Sequence, residues 1–597
     1  MTTLSLLCAV LLGLMPTDPA ATSISTTGEL VSASDASVMK VYDITGLTQG
    51  PVAGQVALDL FPFKSSEAER DGKKESIELA ETIESLVYEV VAPGAFEYEG
   101  RSFTRLGNDK FVVVAPPGLQ ERIGALIDGL RAAFGRTATV GLDIYEVTSR
   151  DALPDVIDPG NIEALVKSGA LHLVHAQQEQ VRMGYTERLE ALNSTRILGN
   201  WEAEIAQHAT IKAPEISELF TGVDLLLRVE DVPGSSLVRL RHALSVSELR
   251  DLGSRSSADY SSVAAGDTRH ITKNTLSQDY PVVSTTLSSG SSVLDVGDGI
   301  VSVGQCETLE GAAGWLSHLR VLHVDPMPAP MEFYKMSVAV VDVSAPTWSA
   351  LELPVVSSSD LAGMKRRDPD ELFNLLASSP DGKRPLFPSE NMNDWGDAFS
   401  ESASGLSMPE LPWEWKDSSW VIWAAPSEDL EQNLALLSAL SGVRKNLVVE
   451  LSVSSDDEGA EVAEMARGRL TLESGGTGCL LFGELLVVQN GYDVEVATGA
   501  STLYGGQNSV FDGLYVQAAA DGTGDSIQLS VASARLQDLE DVPASSVSSN
   551  VFTRPTFSLA DVLAKVPADG KRRAVAELNG PLDGEGARTL WVAVHAR

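Results

Sequence analysis

The sequence predicts an α+β chain made of two tandem copies of one unit. Each unit is a small β-α-β-α-β module followed by an antiparallel, β-rich domain. Three observations predict it. The stretch Phe111–Val147, FVVVAPPGLQERIGALIDGLRAAFGRTATVGLDIYEV, reads as strand, Pro-Pro turn, amphipathic helix, loop and strand. Val421–Val453, VIWAAPSEDLEQNLALLSALSGVRKNLVVELSV, writes that order again. In the first helix Leu119, Ile123 and Leu126 form one apolar stripe, and Leu430, Leu434 and Leu437 repeat its spacing 311 positions on (430 − 119). Finally, both β-rich regions close alike. Asp298-Gly299 precedes Leu319-Arg320-Val321, and Asp569-Gly570 precedes Leu590-Trp591-Val592, each displaced by 271 (569 − 298, 590 − 319).

The elements follow in order. Met1–Ala21 has the form of an export signal, and residues 1–23 are assigned to it. Leu4–Met15 is an apolar run too short to span a bilayer; Pro16, Asp18, Pro19 and the small residues Ala20–Ser23 follow. Residues 24–37, rich in Ser and Thr, read as a flexible linker. The first module, 38–150, opens with a strand at Val38–Ile44, matched later by Val338–Val343. Lys64–Lys74 is a charged loop. Ile77–Val91 is a helix with Leu79, Ala80, Ile83, Val87 and Val90 on its buried stripe. Its counterpart is Pro369–Ala377, with Asp368 as N-cap.

The first β-rich domain, 151–330, is expected to have short strands punctuated by Gly, Asn, Ser and Asp. A hairpin is expected around Gly199-Asn200, and strands at Phe220–Val229 and Leu237–Leu244. A Leu-x-Asp-Leu element, Leu249–Leu252, leads into a polar spacer from Gly253 to about Pro281. The second module, 331–453, carries a loop insertion at 379–420 with Trp395, Trp413, Trp415 and Trp420. These tryptophans would pin the loop to its domain or form a recognition patch. The second β-rich domain, 454–597, repeats the pattern: Phe511–Val516, Ile527–Val531, Leu536–Leu539 and a spacer from Glu540 to Pro555. The two Asp-Gly pairs are expected to be hairpin turns, because glycine accepts positive φ.

Composition narrows the partners. With 83 acids against 44 bases the net charge is −39, which opposes binding to nucleic acid or anionic lipid. A chain of 597 residues needs several cores, and 43% apolar residues is ordinary for folded domains. After signal removal two cysteines remain, Cys306 and Cys479, and their spacing leaves open whether they pair.

No catalytic signature is present: no GxSxG elbow, no Walker loop, and no GxGxxG after a strand. His172, His175 and Glu179 would bind a metal if they shared one side of a helix. They lie in an apolar run with no second ligand cluster, so no metal site is assigned. Asp456-Asp457-Glu458 reads as a solvated loop. The sequence therefore yields no catalytic residue, cofactor-binding residue or metal ligand, although scattered carboxylates leave a hydrolase open.

Three stretches carry a family resemblance. Val41-Tyr42-Asp43-Ile44, the helix Ile77–Val91 and Phe111–Leu130 resemble the ring-building domains of secretins, the ring-forming channels of type II and III secretion and pilus systems. Thr139–Val147 resembles the strand leading into the secretin core. Phe220-Thr221-Gly222-Val223, and Asp298-Gly299 with Val301 and Gly304, resemble strands of that core. The proline- and glycine-rich core signature is missing, and duplication of module plus core departs from the usual layout. The resemblance implies an exported, non-enzymatic cell-envelope protein of a bacterium, in the periplasm or outer membrane. It implies self-association as a scaffold or channel component in protein secretion, with other envelope proteins as partners and no cofactor. The competing readings are a monomeric secreted binding or adhesion protein, and a hydrolase with an unrecognised site.

Overall fold

The computed structural model describes residues 37–48, 80–342, 412–414, 420–435, 445–455, 464–543, 551–578 and 588–597, apart from short loop positions within them. The export signal, nearly all of the linker, the 64–74 loop, the 369–377 helix, Trp395, Trp415 and the acidic run at 456–458 lie outside the described residues. No described helix is long and apolar enough to cross a membrane.

The first module has strands β1 (Val38–Asp43), β2 (Ser102–Leu106) and β3 (Lys110–Ala115), in the antiparallel order β1-β3-β2. Phe111, Val113 and Ala115 alternate inward, as a half-buried strand requires. Proline then ends β3, since it cannot donate to a ladder, and Pro117 opens helix α1 (Pro117–Phe134), where its missing N–H costs nothing. The N–H groups of Leu119 and Gln120 donate to the Pro116 carbonyl at 3.0 Å. Leu119, Ile123, Leu126 and Leu130 are buried on one stripe. A helix over 80–86 runs on as the wider turn Val87–Val91, burying Ile83, Val87 and Val90.

The observed order is thus strand, helix, strand, strand, helix, and not β-α-β-α-β. Two things differ from the sequence reading. Strand β2 carries one buried residue, Phe103, stacked 4.7 Å from Phe111, which is too weak a period to read. The strand expected to close the module leaves it for a larger sheet.

That strand is β4 (Thr137–Val147). After it come helix α2 (Ile162–Ser168), β5 (Leu171–Arg182), β6 (Thr186–Ala206), β7 (Ala209–Asp231), β8 (Val238–Ala265), β9 (Thr268–Leu294), β10 (Gly299–Thr308) and β11 (Gly311–Val324). A second small sheet follows, from β12 (Met331–Phe333), β13 (Met336–Asp342), β14 (Pro412–Glu414) and β15 (Trp420–Ala425), ordered β12-β13-β15-β14. Strands β13, β15 and β14 pair antiparallel as β1, β3 and β2 do. The Leu430 N–H donates to the Pro426 carbonyl at 2.9 Å, as at Pro116. Because β14 pairs with β15, the 379–420 insertion is not loop throughout. The chain ends with β16 (Asn446–Ser455), β17 (Glu464–Glu473), β18 (Thr477–Ala497), β19 (Ala500–Ala520), β20 (Ser526–Pro543), β21 (Val551–Pro567), β22 (Arg573–Leu578) and β23 (Arg588–Ala596).

These strands build two eight-stranded sheets. One, the sheet of shorter strands, runs β22-β23-β16-β17-β10-β11-β4-β5. The other, the sheet of longer strands, runs β21-β20-β19-β18-β9-β8-β7-β6. Each sheet takes four strands from the first repeat and four from the second, set edge to edge. The β-rich halves are therefore continuous with each other and not separate sheets. The two sheets face one another across apolar cores. Val449, Leu451, Val592 and Val594 of one pack with Leu514, Val516 and Ile527 of the other. In the first repeat Val140, Leu142, Leu319 and Val321 pack with Val223, Leu225 and Leu240.

Ladder partners fix the repeat residue by residue. Thr186 pairs with Arg228, and Thr477 with Ala519, so β6 and β7 map onto β18 and β19 at a constant 291 positions (477 − 186, 519 − 228). One-residue bulges recur at matching places, at Leu198/Asn200 and Gln489/Gly491, and at Leu249/Asp251 and Leu536/Asp538. Gly199-Asn200 is thus a bulge within β6, not a turn. Leu319 lies opposite Leu142 and Val592 opposite Leu451, so Leu319 corresponds to Val592 and not to Leu590. Leu590, Val592 and Val594 alternate identically, so sequence cannot see a slip of two.

Other expectations change as well. The strands of the β6–β9 meander are 21 to 28 residues long, not short. The polar stretch after Gly253 continues β8 into β9, and that after Glu540 carries the end of β20 and the start of β21. Those parts lack apolar alternation because most of the described residues just beyond Leu249 are exposed, outside the core. The Asp-Gly pairs close no hairpin. They carry the chain from one sheet to the other, between β9 and β10 and between β21 and β22. Gly570 takes φ 74°, but at the first the positive φ belongs to Gly297, at 103°.

Candidate functional site at the strand seams

His172, His175 and Glu179 lie on edge strand β5, not on a helix. His175 Nε2 shares a hydrogen bond with Gln177 Oε1 at 3.2 Å. No group of three potential metal ligands occurs among the described residues. Cys479 is a free, buried thiol, so it does not pair with Cys306. Its Sγ lies 3.1 Å from Ser289 Oγ, and burial pushes the thiol up to about 11, away from the reactive thiolate. A cleft between the sheets, lined by Val453, Ala466, Leu514 and Leu578, has a volume of about 20 Å³, room for one water.

The developed feature is the seam joining the repeats. In the sheet of longer strands, β9 pairs with β18 over eight residues, from Val282 opposite Leu486 to Ser289 opposite Cys479. In the sheet of shorter strands, β10 pairs with β17 from Val303 opposite Arg469 to Cys306 opposite Ala466. Gly304 lies opposite Gly468 there. A Cβ on Gly304 would come within 2.8 Å of the Phe482 Cβ, and one on Gly468 within 2.7 Å of Leu480 Cδ2. The paired glycines let the two sheets close on each other at the seam.

Buried charge staples the seam. Glu230 on β7 is 1% exposed, with its carboxylate 2.7 Å from Arg228 Nε and 3.1 Å from Arg241 Nε. Burial opposes that charge, but Arg241, Arg228 and Arg239 outweigh it and hold the carboxyl below its ordinary range. Arg239 then crosses to the second repeat, its Nε donating to Glu473 at 3.0 Å, and Ser291 Oγ donates to the same carboxylate at 2.7 Å. Asn446 meets the Val293 backbone twice: the Val293 N–H donates to its Oδ1 at 2.9 Å, and its Nδ2 donates to the Val293 carbonyl. An acid between arginines is stable when buried only because each charge is met. None of this was legible as a motif, since its members come from strands far apart in sequence.

At the outer edges the same positions lie open. Residues 282–289 and 479–486 are buried throughout. Their repeat counterparts, 556–563 on β21 and 188–195 on β6, are half-buried or exposed, with Leu563 65% exposed. On β5 the counterparts of Ala466–Arg469 are His175–Gln178, again half-buried or exposed.

No protein-family model and no curated protein sequence matches the chain. Among solved structures it is similar to the secretin-domain β-barrel of InvG from the Salmonella SPI-1 injectisome. That match has 11% identity over 42% of this chain and 81% of the other, with a TM-score of 0.18. It is similar also to the ETEC pilotin–secretin complex AspS–GspD, with 8% identity over 94% of this chain and 88% of the other, and a TM-score of 0.17. Neither score superposes the chains as whole bodies.

Proposed function

We propose that the chain is an exported, non-enzymatic cell-envelope protein that self-associates as a scaffold or channel component in protein secretion. One observation carries the reading: among the described residues both large sheets end in strands laddered on one side only, at the same two ends, β5 with β6 and β21 with β22. An open strand edge is a template for another chain. The two ends differ, so contacts between copies are head to tail, and such contacts close into rings when the rotation allows. The resemblance of Phe111–Leu130 and Phe220–Val223 to secretin segments supports a ring of that kind, with an outer-membrane or periplasmic location and other envelope proteins as partners. The acidic surface suits neither nucleic acid nor anionic lipid.

The test is the mass of the purified mature chain by light scattering, with negative-stain images of the same sample. A discrete large oligomer with ring projections is expected. A single chain at micromolar concentration would instead favour the monomeric binding protein. Turnover of a hydrolase substrate panel, abolished by carboxylate substitution, would favour the enzyme.

A further inference from the structure

We infer that one chain fills two consecutive positions of the assembly, and that the seam between chains copies, strand for strand, the seam inside each chain. This rests on the self-association reading above. The basis is the order of the sheets. In the sheet of longer strands β9, last of the first repeat, pairs with β18, first of the second. Strand β21 corresponds to β9, because Leu249 pairs with Val283 and Leu536 with Phe557. Strand β6 corresponds to β18. Further along, β6 bonds to β9 within the chain, Trp201 Nε1 donating to the Ser277 carbonyl at 2.9 Å, and β8 pairs with β19 at Ser261–Val263. The stretches 188–195 and 556–563 on the outer edges are therefore the two partners of a seam already present. The sheet of shorter strands says the same: β10 pairs with β17, and their counterparts β22 and β5 are its free edges. Both sheets run in the same sense, so one placement of a second copy continues both.

The internal ladder sets the register. Thr286 opposite Phe482 becomes Ala560 opposite Ala191 of the next chain. Ser289 opposite Cys479 becomes Leu563 opposite Arg188. Leu563 would then be covered where it now stands in water. The register also places Asp561 opposite Glu190, whose charge Arg188 already meets at 2.6 Å.

The residues that differ between the seams are consistent with this. Asn446 satisfies the Val293 N–H inside the chain. The counterparts are Thr137 and Pro567, and proline has no N–H to satisfy, so nothing is orphaned when the asparagine is lost. The buried staple is not copied. Asp521, Ser526 and Arg182 stand at the positions of Glu230, Arg239 and Glu473, and the exposed Lys565 at that of Ser291. The seam between chains thus lacks the buried charge network, and the assembly should come apart into whole chains.

Directly opposed residues on antiparallel strands have Cα atoms about 4.5–5.5 Å apart, within disulfide reach. The test is the full-length double variant A191C/A560C, oxidised mildly and run without reductant. A ladder of whole-chain multiples is expected, absent from each single variant and at least about tenfold weaker in A191C/A564C, which is four residues out of register. Oligomers of wild-type size without that ladder, or with an equal ladder from A191C/A564C, would overturn the copied seam and leave self-association standing. Single chains by light scattering in the wild type would overturn both.

Discussion

At the scale of single residues, His242 marks where the repeats have diverged. It is 3% exposed on β8, and its counterpart on β20 is Leu529, also buried. Burial pushes the imidazole down to about 4 from an ordinary 6.5. Between those values the unfolded chain takes up a proton that the folded chain refuses, so stability is lost as pH falls from 6.5 towards 4. Each pH unit in that window costs about 1.4 kcal/mol. His318 is shifted the same way, by burial and then by Arg320. We expect the melting temperature to fall between pH 7 and pH 5, and H242L to flatten that fall while preserving the fold, as Leu529 does in the other repeat. An unchanged slope in H242L would remove His242 from the account. Cys479 gives a second residue-level expectation. In a variant keeping it as the sole cysteine, a thiol reagent at pH 8 should label it only as fast as the chain unfolds.

At the scale of elements, the seam is where two sheets and two repeats meet, and its glycines set their distance. Gly304 was noticed in the sequence for its resemblance to a core strand, but its physical reason is the wall of Thr286 and Phe482 against it. G304V should cost about 1–3 kcal/mol, read as a lower denaturant midpoint, because neither neighbour has room to withdraw. A neutral result would mean the sheets are not close-packed there. The helix α1 and its stripe were legible because an apolar period of i, i+4, i+7 needs no partner to be seen. The β6–β9 meander was not, since described stretches such as 213–216 and 250–256 carry no buried face and so no alternation. Gly199-Asn200 misled for a related reason: the dipeptide suits a bulge as well as a turn, and only the partner strand tells which.

At the scale of the whole molecule, two sheets that stop at both ends give an unfinished object. L563K should leave the single chain folded, since that side chain is largely in water, while placing a second cation beside Arg188 of the next chain. We expect light scattering to show oligomers shifted towards single chains, with an unchanged far-ultraviolet spectrum. Full-size oligomers in L563K would separate this edge from assembly. The seam that suggests this was invisible in sequence because the displacement between repeats is not constant. It is 311 at Leu119 and Leu430, 291 at Thr186 and Thr477, and 274 at Pro281 and Pro555. Connections of different length lie between, so Arg182 and Glu473 are recognised as equivalents only through their ladder partners, Thr137 and Asn446.

Sequence alone determined that the apolar spacing of Leu119, Ile123 and Leu126 recurs at Leu430, Leu434 and Leu437, that α1 follows a proline-terminated strand, and that acids outnumber bases. Those properties are local or additive, so they can be read without a fold. Tertiary structure decided which strands share a sheet, where a polar stretch is still strand, and which edges meet. Strand pairing joins residues hundreds of positions apart through backbone groups that every residue carries, so side-chain identity leaves it almost unmarked.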